Sequence, residues 1–507
     1  MMIGAMELQR DLYAFADDSF RGRETGTPDA YRAAAFLAGR AQQLGLEPAG
    51  DSLYLQRVPL ARQIFGRGTR LTITTVGGRS QTLRIGADIA PMITFGEDGP
   101  QPSRNAQGEL IFVGYAPLDD AQSAELARYD LEGKVLVALN GAPPGTKPAN
   151  AARFESQRAL SQRLERLMAV HPAAIVLLMT GGAESIYDQL APELLHNVVL
   201  DKPQPVQVDS TMAESTQRLP ALLFGVAHRG SPLLPAAWPN DVTIQALGKQ
   251  LNMHLEVERQ PFTGYNVAAV VRGSDPRLNM TYVAFGAHYD HIGIVSPRGM
   301  PRRGKAADSI ANGADDDGSG SVALLAVARQ MTYLRPRRSV LFVWHVAEEK
   351  GMLGSAYFTA HPTVPIDSIV TEFNADMIGR NDPNTLALVG PRAAPNYLSW
   401  RVGMVVDSVN RAEPNPLHIE RQWDDPDDPD RIYERSDHFN YAKKGIPVIL
   451  FTTGPHPDYH GVGDEAPKID YDKLARIATL MLESGLAVAD RTSRPTSEAI
   501  TQSISSR

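Results

Sequence analysis

The sequence predicts an α/β protein in which a mostly parallel mixed sheet lies between helices and carries a β-rich insertion. From Gly264 onward, segments rich in β-branched and apolar residues alternate with segments of helical periodicity, a pattern typical of a parallel sheet with connecting helices. Several of these strand segments are almost continuously apolar, as expected for strands that are buried on both faces. Residues from about 95 to 255 instead place short strand candidates among Pro- and Gly-rich turns, which indicates a separate inserted unit.

Length and composition are those of a globular chain with more than one domain. It has 507 residues, of which 43 % are hydrophobic and 21 % are charged, and its net charge is −8. A chain of this length can bury a large core in two or three domains, and the negative charge disfavours nucleic-acid binding. It contains no cysteine, which excludes disulfides, thiolate metal sites and a cysteine nucleophile. No apolar run is long enough to predict a membrane span.

The individual elements follow from local signals along the chain. Thr27-Pro28-Asp29 predicts a helix start, and Gly45 ends the helical repeat that follows. In the insertion, strands are predicted at 110–113, 134–139, 173–179 and 221–224, and a helix at 157–170. In the second half, strands are predicted at 266–271, 281–286, 339–346, 369–374 and 448–453, and helices at 319–334 and 471–489.

Side chains that carry chemistry are concentrated where the predicted strands of the second half end. In open α/β sheets, ligands bind beyond the carboxyl ends of the strands. The segments at these ends are Ala287-His288-Tyr289-Asp290, Gly313-Ala-Asp315-Asp316-Asp317-Gly-Ser-Gly320, Ala347-Glu348-Glu349, Asn374-Ala-Asp376-Met377 and Tyr459-His460-Gly461. Carboxylates and imidazoles without sulfur ligands suit zinc, manganese or cobalt in a hydrolytic site.

The number of these side chains fits a pair of metal ions. Two ions a few ångströms apart need one bridging carboxylate and two further ligands each, and together they lower the pKa of a shared water. A further carboxylate must accept the proton of that water. For these roles the segments supply two histidines, one bridging aspartate, one terminal aspartate and the pair Glu348-Glu349. One glutamate of the pair can bind metal while the other faces water and substrate. Asp290 lies two residues after His288 on the same face of an extended segment, so its carboxylate is placed to accept the other imidazole N–H.

Six short motifs occur in a fixed order along the chain: His-x-Asp, Gly-Ala-Asp-Asp-Asp-x-Ser-Gly, Glu-Glu-x-Gly-x-x-Gly-Ser, Asn-x-Asp-Met-Ile-Gly, Ser-Asp-His and Tyr-His. In this order they resemble the co-catalytic two-zinc exopeptidases, a family that includes bacterial leucyl aminopeptidase and glutamate carboxypeptidase II. The resemblance covers about 1–95 and 255–490. The insertion resembles a protease-associated domain, and Asp130-Leu-Glu-Gly-Lys134 before an apolar strand carries that likeness.

The resemblance implies a division of the chain into four segments. Residues 1–95 would form the N-terminal part of the peptidase domain, and 96–255 the inserted β-rich protease-associated domain. Residues 256–490 would form the catalytic metallopeptidase domain, and 491–507 a loose tail.

The resemblance also implies a role for individual residues. The implied metal ligands are His288, Asp316, Glu349, Asp376 and His460. Asp316 would bridge two Zn²⁺ per chain, with Mn²⁺ or Co²⁺ as substitutes, while His288 and Asp376 complete one ion and Glu349 and His460 complete the other. Glu348 would be the general base, Asp290 is predicted as a second catalytic residue, and the peptide bond between Asp316 and Asp317 would be cis. The predicted substrate-side residues are Asp437, His438 and Tyr459.

The function expected is zinc-dependent hydrolysis of terminal peptide bonds in short peptides, by a water shared between two metals with Glu348 as the base. Carboxylates are dense around the predicted site, which favours recognition of a free amine and therefore an aminopeptidase. They are Asp290, Asp315, Asp317, Asp437 and the acidic run 424–430. The nearest basic cluster, within 298–305, lies in a loop with Gly and Pro. The alternatives are a glutamate-carboxypeptidase-like carboxypeptidase or dipeptidase, a one-zinc glutaminyl-cyclase-like acyltransferase, and a non-catalytic receptor with a decayed site.

Short peptides are the expected partners, with no nucleic acid and no membrane span, and the oligomeric state stays open. Met1-Met-Ile-Gly-Ala-Met6 contains no basic segment followed by an apolar stretch, so no signal peptide is read there. We expect a periplasmic or extracellular protein whose signal has been removed, with a cytoplasmic location as the alternative.

Overall fold

A computed structural model divides the chain into two compact units. One unit comprises Met1–Pro59 with Phe262–Arg507, and the other comprises Leu60–Pro261. The structure describes residues 3–92, 103–116, 119–184, 187, 194, 196–201, 220–228, 231–235, 243–295, 308–390, 399–425, 428 and 430–495. Among these residues, no helix combines the length and the apolar character that crossing a membrane requires.

The strands of the described residues, numbered in chain order, are β1 (Glu47–Pro48), β2 (Leu55–Phe65), β3 (Arg70–Thr75), β4 (Ser80–Leu83), β5 (Ala90–Pro91), β6 (Ser103–Tyr115), β7 (Val135–Asn140), β8 (Ala174–Met179), β9 (His196–Leu200), β10 (Ala221–Val226), β11 (Gln245–Val271), β12 (Tyr282–His288), β13 (Gly293–Ile294), β14 (Ile310–Ala311), β15 (Ser339–His345), β16 (Ile369–Ala375), β17 (Thr385–Val389), β18 (His418–Glu420) and β19 (Val448–Thr452). The α-helices are α1 (Ala5–Phe15), α2 (Pro28–Gln43), α3 (Asp120–Leu126), α4 (Pro148–Glu155), α5 (Gln157–Met168), α6 (Gly320–Leu334), α7 (Leu353–Ala360), α8 (Trp400–Ala412), α9 (His438–Ala442) and α10 (Tyr471–Ala489).

The first unit is built on a mixed sheet with a parallel centre. Its strand order is β1–β11–β15–β12–β16–β19–β17–β18, where β11 contributes its last residues. The neighbouring strands β15, β12, β16 and β19 run parallel, while β11 and β17 pair antiparallel to this group. The carboxyl ends of the four parallel strands therefore meet at one edge of the sheet.

Continuous apolar burial explains why these segments form the central strands. Every residue of β12, β15 and β16 is buried, as expected for strands covered on both faces. On one face, the ring of Phe285 in β12 stacks on Phe342 of β15 with 5.4 Å between the ring centres. Helix α10 reaches the sheet at Gly485, where a Cβ atom would come within 2.3 Å of the Phe285 ring. The absence of a side chain at Gly485 thus permits close packing of the helix on the sheet.

The second unit has its own sheet, in the order β4–β3–β11–β6–β7–β8–β10–β5. Its strands β6, β7, β8 and β10 are parallel. Alternate residues of each strand enter different apolar clusters, so that Val135 and Val137 join one cluster while Leu136 and Ala138 join the other. Both faces of this sheet are therefore covered by apolar side chains.

The predicted fold class is confirmed, and the domain boundaries need a correction. The sequence analysis began the insertion at residue 96 and ended it at 255, whereas the second unit runs from Leu60 to Pro261. The reason is that strands before residue 95 belong to the second unit: β3 pairs with β11, and β5 pairs with β10. The likeness of this unit to a protease-associated domain stays a prediction. Most of the predicted tail 491–507 lies outside the described residues.

Candidate metal centre

The five predicted metal ligands meet at the carboxyl edge of the first unit's sheet. His288 is the last residue of β12, and Asp376 directly follows β16. Glu349 lies in the turn after β15, Asp316 lies in an irregular turn that leads into α6, and His460 lies in the loop after β19. The sheet topology therefore gathers side chains that are far apart in sequence, and their binding of metal stays a prediction.

Asp316 lies between the two histidines. Its Oδ1 atom is 3.2 Å from Nε2 of His288, and its Oδ2 atom is 3.3 Å from Nε2 of His460. Asp376 Oδ1 is 3.7 Å from the same nitrogen of His288, and Glu349 Oε2 is 3.0 Å from that of His460. We call the set of His288, Asp376 and Asp316 Oδ1 the strand-held position. We call the set of His460, Glu349 and Asp316 Oδ2 the loop-held position.

The spacing of these atoms fits zinc. Bonds of about 2.0–2.1 Å in tetrahedral geometry place two ligand atoms of one zinc ion roughly 3.3 Å apart. The separations at the two positions range from 3.0 to 3.7 Å. Imidazole and carboxylate donors without sulfur are also ligands that zinc accepts in hydrolytic sites. The residues present therefore fit zinc.

The charges of the centre favour bound cations. Burial lowers the pKa of His460, but the carboxylates of Glu349 and Asp316 outweigh burial and raise that pKa to about 11. Burial and Asp316 raise the pKa of Glu349, but His460 and His291 outweigh them and lower it to about 2. Burial also lowers the pKa of His288, but surrounding carboxylates outweigh burial and raise that pKa well above its usual range. The same negative surroundings would stabilise a metal ion.

The turn that presents Asp316 is held by its neighbour Asp317. The peptide bond between the two residues is cis, in agreement with the resemblance. Asp317 Oδ2 accepts the main-chain N–H of His288, and Oδ1 accepts that of Gly320 at the start of α6. One ligand atom each of His288, Asp317 and Asp376 lies within 4.8 Å of the others. Because both Asp317 oxygens already accept main-chain N–H groups, we assign Asp317 to the support of the turn.

Asp290 supports the centre in a different way from the one predicted. Nδ1 of His288 lies 3.0 Å from the main-chain oxygen of Asp290 and 3.9 Å from its carboxylate. The carboxylate instead accepts the hydroxyl of Thr25 at 2.7 Å and the main-chain N–H of Glu348 at 3.1 Å. The prediction that the Asp290 carboxylate binds the imidazole is therefore corrected: the carbonyl orients His288, and the carboxylate orients the backbone of Glu348.

Glu348, the predicted base, faces the same space as the ligands. Its Oε2 atom is 3.9 Å from Nε2 of His288, and its side chain is 17 % exposed. Burial raises the pKa of Glu348 well above its usual range, and the negative charges of Asp376 and Glu349 raise it further against the opposing effect of His288. A carboxyl group with this affinity for protons can accept and return one.

The predicted substrate-side residues divide into buried and accessible ones. Asp437 and His438 are fully buried, so the expectation that they contact a substrate is corrected. Burial raises the pKa of Asp437 to about 7 and lowers that of His438 to about 3. Tyr459 is 44 % exposed and stacks on the ring of His460 with 4.0 Å between ring centres. Of the three residues, Tyr459 stays a predicted substrate contact. The basic cluster within 298–305 lies outside the residues that the structure describes.

Sequence reasoning missed residues that hold the centre together. The guanidinium of buried Arg23 donates to the main-chain oxygens of Tyr289, Asn312 and Gly313. Asp464 accepts the main-chain N–H groups of Asp315 and Asp316 at 3.0 Å. No local sequence signal marks Arg23 or Asp464, because their partners lie far away along the chain.

His291 was also missed, although its position one residue after the His-x-Asp motif was a usable signal. Its Nδ1 atom lies 2.6 Å from Glu349 Oε1 and 3.7 Å from Asp316 Oδ2. One ligand atom each of His291, Asp316 and Glu349 lies within 4.8 Å of the others. The centre therefore contains a third histidine, which is buried on the side of the loop-held position.

Comparison with known proteins finds a family model that matches the part of the chain that carries the centre. Residues 266–485 match the model of peptidase family M28. The chain is 27 % identical over 213 residues to a probable leucine aminopeptidase 2 of Aspergillus oryzae. That alignment covers 40 % of this chain and 36 % of the fungal protein, so the chain spans well under two thirds of that relative's length.

Solved structures share the fold over nearly the whole chain. An aminopeptidase from Aneurinibacillus sp. strain AM-1 superposes with a TM-score of 0.55 at 19 % identity, covering 98 % of this chain and 96 % of that protein. A zinc aminopeptidase from Bacillus subtilis gives a TM-score of 0.52 at 15 % identity, covering 98 % of each chain. At these identities the likeness establishes the fold.

Proposed function

We propose that this chain, whose residues 266–485 match the model of peptidase family M28, is a zinc-dependent aminopeptidase of short peptides. One observation carries the proposal. The two carboxylate oxygens of Asp316 face different histidines, His288 at 3.2 Å and His460 at 3.3 Å. A carboxylate placed in this way between two ligand groups is the bridge that a two-metal site needs.

Two zinc ions per chain fit the donors present. His288 and Asp376 with one Asp316 oxygen would hold the first ion, and His460 and Glu349 with the other oxygen would hold the second. Bound at such a site, zinc supplies Lewis-acid polarisation of a carbonyl and lowers the pKa of water. The relatives' names support the choice of metal, since a protein of the same fold is described as a zinc aminopeptidase.

Glu348 would move the proton during hydrolysis. Its carboxylate is partly accessible and lies beside His288, while its backbone is fixed by the Asp290 carboxylate. This places Oε2 to take a proton from the attacking water and to return it to the leaving amine. Because the main-chain N–H of Glu348 is anchored, the side chain can reorient between these two tasks without displacing the turn.

The accessible charges of the centre favour a free amine as the group recognised. The accessible carboxylates are those of Glu348 and Asp376, whose side chains are 17 % and 16 % exposed. The aspartates 290, 315, 317 and 437, which the sequence suggested for this purpose, are fully buried. An α-ammonium group would therefore meet Glu348 or Asp376.

The cations around the centre are engaged within the protein. Arg23 donates to main-chain carbonyls, and Arg380 pairs with Asp458 at 2.7 Å. Lys350 lies 3.7 Å from Glu24. A carboxypeptidase needs a cation fixed where the free carboxylate lies, and among the described residues these three are committed elsewhere. This arrangement favours the aminopeptidase over the carboxypeptidase.

A metal titration tests the site. We expect two zinc ions per chain by elemental analysis, loss of activity on prolonged treatment with a strong chelator, and recovery on adding zinc. No more than one tightly held ion in fully active protein would refute the two-metal site.

A matched set of peptides tests the reaction. The same short peptide is supplied free, N-acetylated and C-amidated, with the Glu348→Gln variant as the inactive control. Blocking the amine should stop cleavage, and blocking the carboxylate should leave it intact. The reverse pattern would assign a carboxypeptidase, and cyclisation of an N-terminal glutamine without cleavage would assign an acyltransferase.

A further inference from the structure

His291 is fully buried beside the loop-held position. Its Nδ1 atom lies 2.6 Å from Oε1 of Glu349, a distance at the short end of the range for a hydrogen bond to a charged oxygen. Its Nε2 atom is buried and meets no hydrogen-bonding partner within the described part of the chain. Because an ionised carboxylate oxygen can only accept a hydrogen bond, this geometry places an N–H donor on Nδ1 of His291, directed at Glu349.

This hydrogen bond divides the two oxygens of Glu349 between two tasks. Oε1 accepts from His291, and Oε2 lies 3.0 Å from Nε2 of His460. A carboxylate that is free to rotate can present either oxygen or both to a metal ion. Because His291 occupies Oε1, Oε2 is the oxygen left for the ion at the loop-held position.

The His291 ring is held in place by the surrounding backbone and by a second ligand. Gly313 has a left-handed conformation with φ of 55°, and a Cβ atom there would lie 2.5 Å from Cγ of His291. The ring therefore fills space that only glycine leaves open. It also packs edge-on against the ring of His460, with 5.7 Å between ring centres. His291 thus contacts both residues that define the loop-held position together with Asp316.

The strand-held position is supported differently. Nδ1 of His288 meets the main-chain oxygen of Asp290, two residues along the same segment. That support comes from backbone, which a side-chain substitution leaves in place. The loop-held position depends on a side chain, so a substitution at residue 291 can separate the two positions experimentally.

We propose that His291 is a positioning residue for the loop-held ion: it donates a hydrogen bond to Glu349 Oε1 and thereby presents Oε2 to the metal. The proposal rests on the two-ion site of the proposed function and adds a residue that acts on one ion only. Removing a partner that orients a metal ligand typically weakens metal affinity about 10–100-fold. We expect that loss for the loop-held ion and an unchanged affinity for the strand-held ion.

The test compares His291→Asn with His291→Gln. An asparagine amide places its NH₂ group close to the position of the imidazole Nδ1, whereas the longer glutamine places it near that of Nε2. Both variants keep a polar amide at a buried site, so they share the cost of substitution and differ in the donor that reaches Glu349. Thermal unfolding of the metal-free proteins checks that both are folded.

The readout is zinc content in buffers of graded free zinc, which requires no peptidase activity. Wild type and His291→Asn should lose their two ions at similar free zinc, within a few-fold. His291→Gln should lose one ion at about 10–100-fold higher free zinc and keep the other unchanged. At zinc levels that fill both positions, kcat of the glutamine variant should recover towards that of the asparagine variant.

Two results would overturn the inference alone: a glutamine variant with unchanged zinc binding, or one that loses both ions in parallel. Wild-type protein that binds fewer than two ions would instead overturn the proposed function, and this inference with it. The wild-type titration therefore separates the two failures before any variant is compared.

Discussion

The two proposed ion positions share Asp316 but are built from different kinds of structure. His288 is 1 % exposed and ends a strand that lies between two parallel neighbours, β15 and β16. His460 is 35 % exposed and belongs to the loop after β19. The sheet therefore holds His288 of the strand-held position in place. His460 of the loop-held position instead depends on the contacts that its loop makes.

Side-chain contacts hold the loop that carries His460 in place. The carboxylate of Asp464 accepts the main-chain N–H groups of Asp315 and Asp316, so the end of the loop is bound to the turn that carries the bridge. Asp458, two residues before His460, pairs with Arg380 at 2.7 Å and with Lys468 at 2.9 Å. The comparison indicates that a metal position can be built from a sheet edge or from a loop, and that the loop needs dedicated partners.

The largest expected effect comes from a residue that belongs to neither position. Glu348→Gln keeps the shape of the side chain but removes its ability to accept a proton. Turnover should fall by roughly 10²–10⁴-fold while both ions remain bound. Steady-state kinetics and elemental analysis on the same preparation check this. Loss of an ion in this variant would show that Glu348 is a ligand, and the two positions would have to be redrawn.

The next effect separates the two positions. Glu349→Gln removes a charged ligand from the loop-held position. The affinity of this position for zinc should fall by more than about 100-fold, which exceeds the loss expected when a residue that only orients a ligand is removed. The strand-held ion should keep its affinity, because His288 and Asp376 are unchanged. Calorimetric zinc titration measures both events. A single parallel loss of both ions would contradict the division of the site.

The features of the two positions that the sequence predicted are those that depend on local sequence pattern. The helix 471–489 was predicted with the bounds that the structure gives α10, and the predicted strand 281–286 overlaps β12, Tyr282–His288. Continuous apolar runs mark buried strands, and helical spacing marks amphipathic faces. The order of strand-end motifs then placed the five ligands at one edge.

The parts that escaped prediction depend on contacts between distant residues. Arg23 reaches the carbonyl of Tyr289 across 266 positions of the chain, and Asp464 reaches Asp315 across 149. The sequence identified Asp290 as the partner of His288 but not the atom that makes the contact. The direction of the backbone after β12 decides whether the carbonyl or the carboxylate of Asp290 faces the His288 ring. No periodicity in the sequence carries such information.

A smaller effect is expected at Asp464, which tests how the loop is attached. Asp464→Asn replaces one of the two carboxylate oxygens, which accept the N–H groups of Asp315 and Asp316, by an amide NH₂ that cannot accept. The affinity of the loop-held position for zinc should fall about 10–100-fold. The affinity of the strand-held position should change less. Asp458→Asn is the matched control within the same loop, since its partners are the side chains of Arg380 and Lys468. Equal effects of both variants would mean that the loop responds to any lost charge.

The smallest expected effect concerns the stability of the sheet under the strand-held position. Glu372 lies in β16, fully buried, with both carboxylate oxygens lacking a hydrogen-bonding partner among the described residues. The Cβ position of Gly286 in β12 is 2.5 Å from Oε1 of Glu372, so the carboxyl group fills space beside a residue without a side chain. Burial raises the pKa of Glu372 well above its usual range, and Asp437 raises it further.

The sign of the pH effect follows from proton uptake. As pH rises above the ordinary value for glutamate, the unfolded chain releases this proton while the folded protein retains it, so the free energy of unfolding falls with pH. Glu372→Gln removes the titration and should leave the variant more stable than wild type at neutral pH, by a few degrees in Tm, with the difference disappearing at about pH 4. Thermal unfolding of the metal-free proteins from pH 4 to 8 measures this, with Glu47→Gln, whose side chain is 48 % exposed, as control. A Glu372→Gln variant whose stability relative to wild type falls as pH rises above about 4 would show that the fold favours the ionised carboxylate. The sheet beneath the strand-held position would then contain a buried charge.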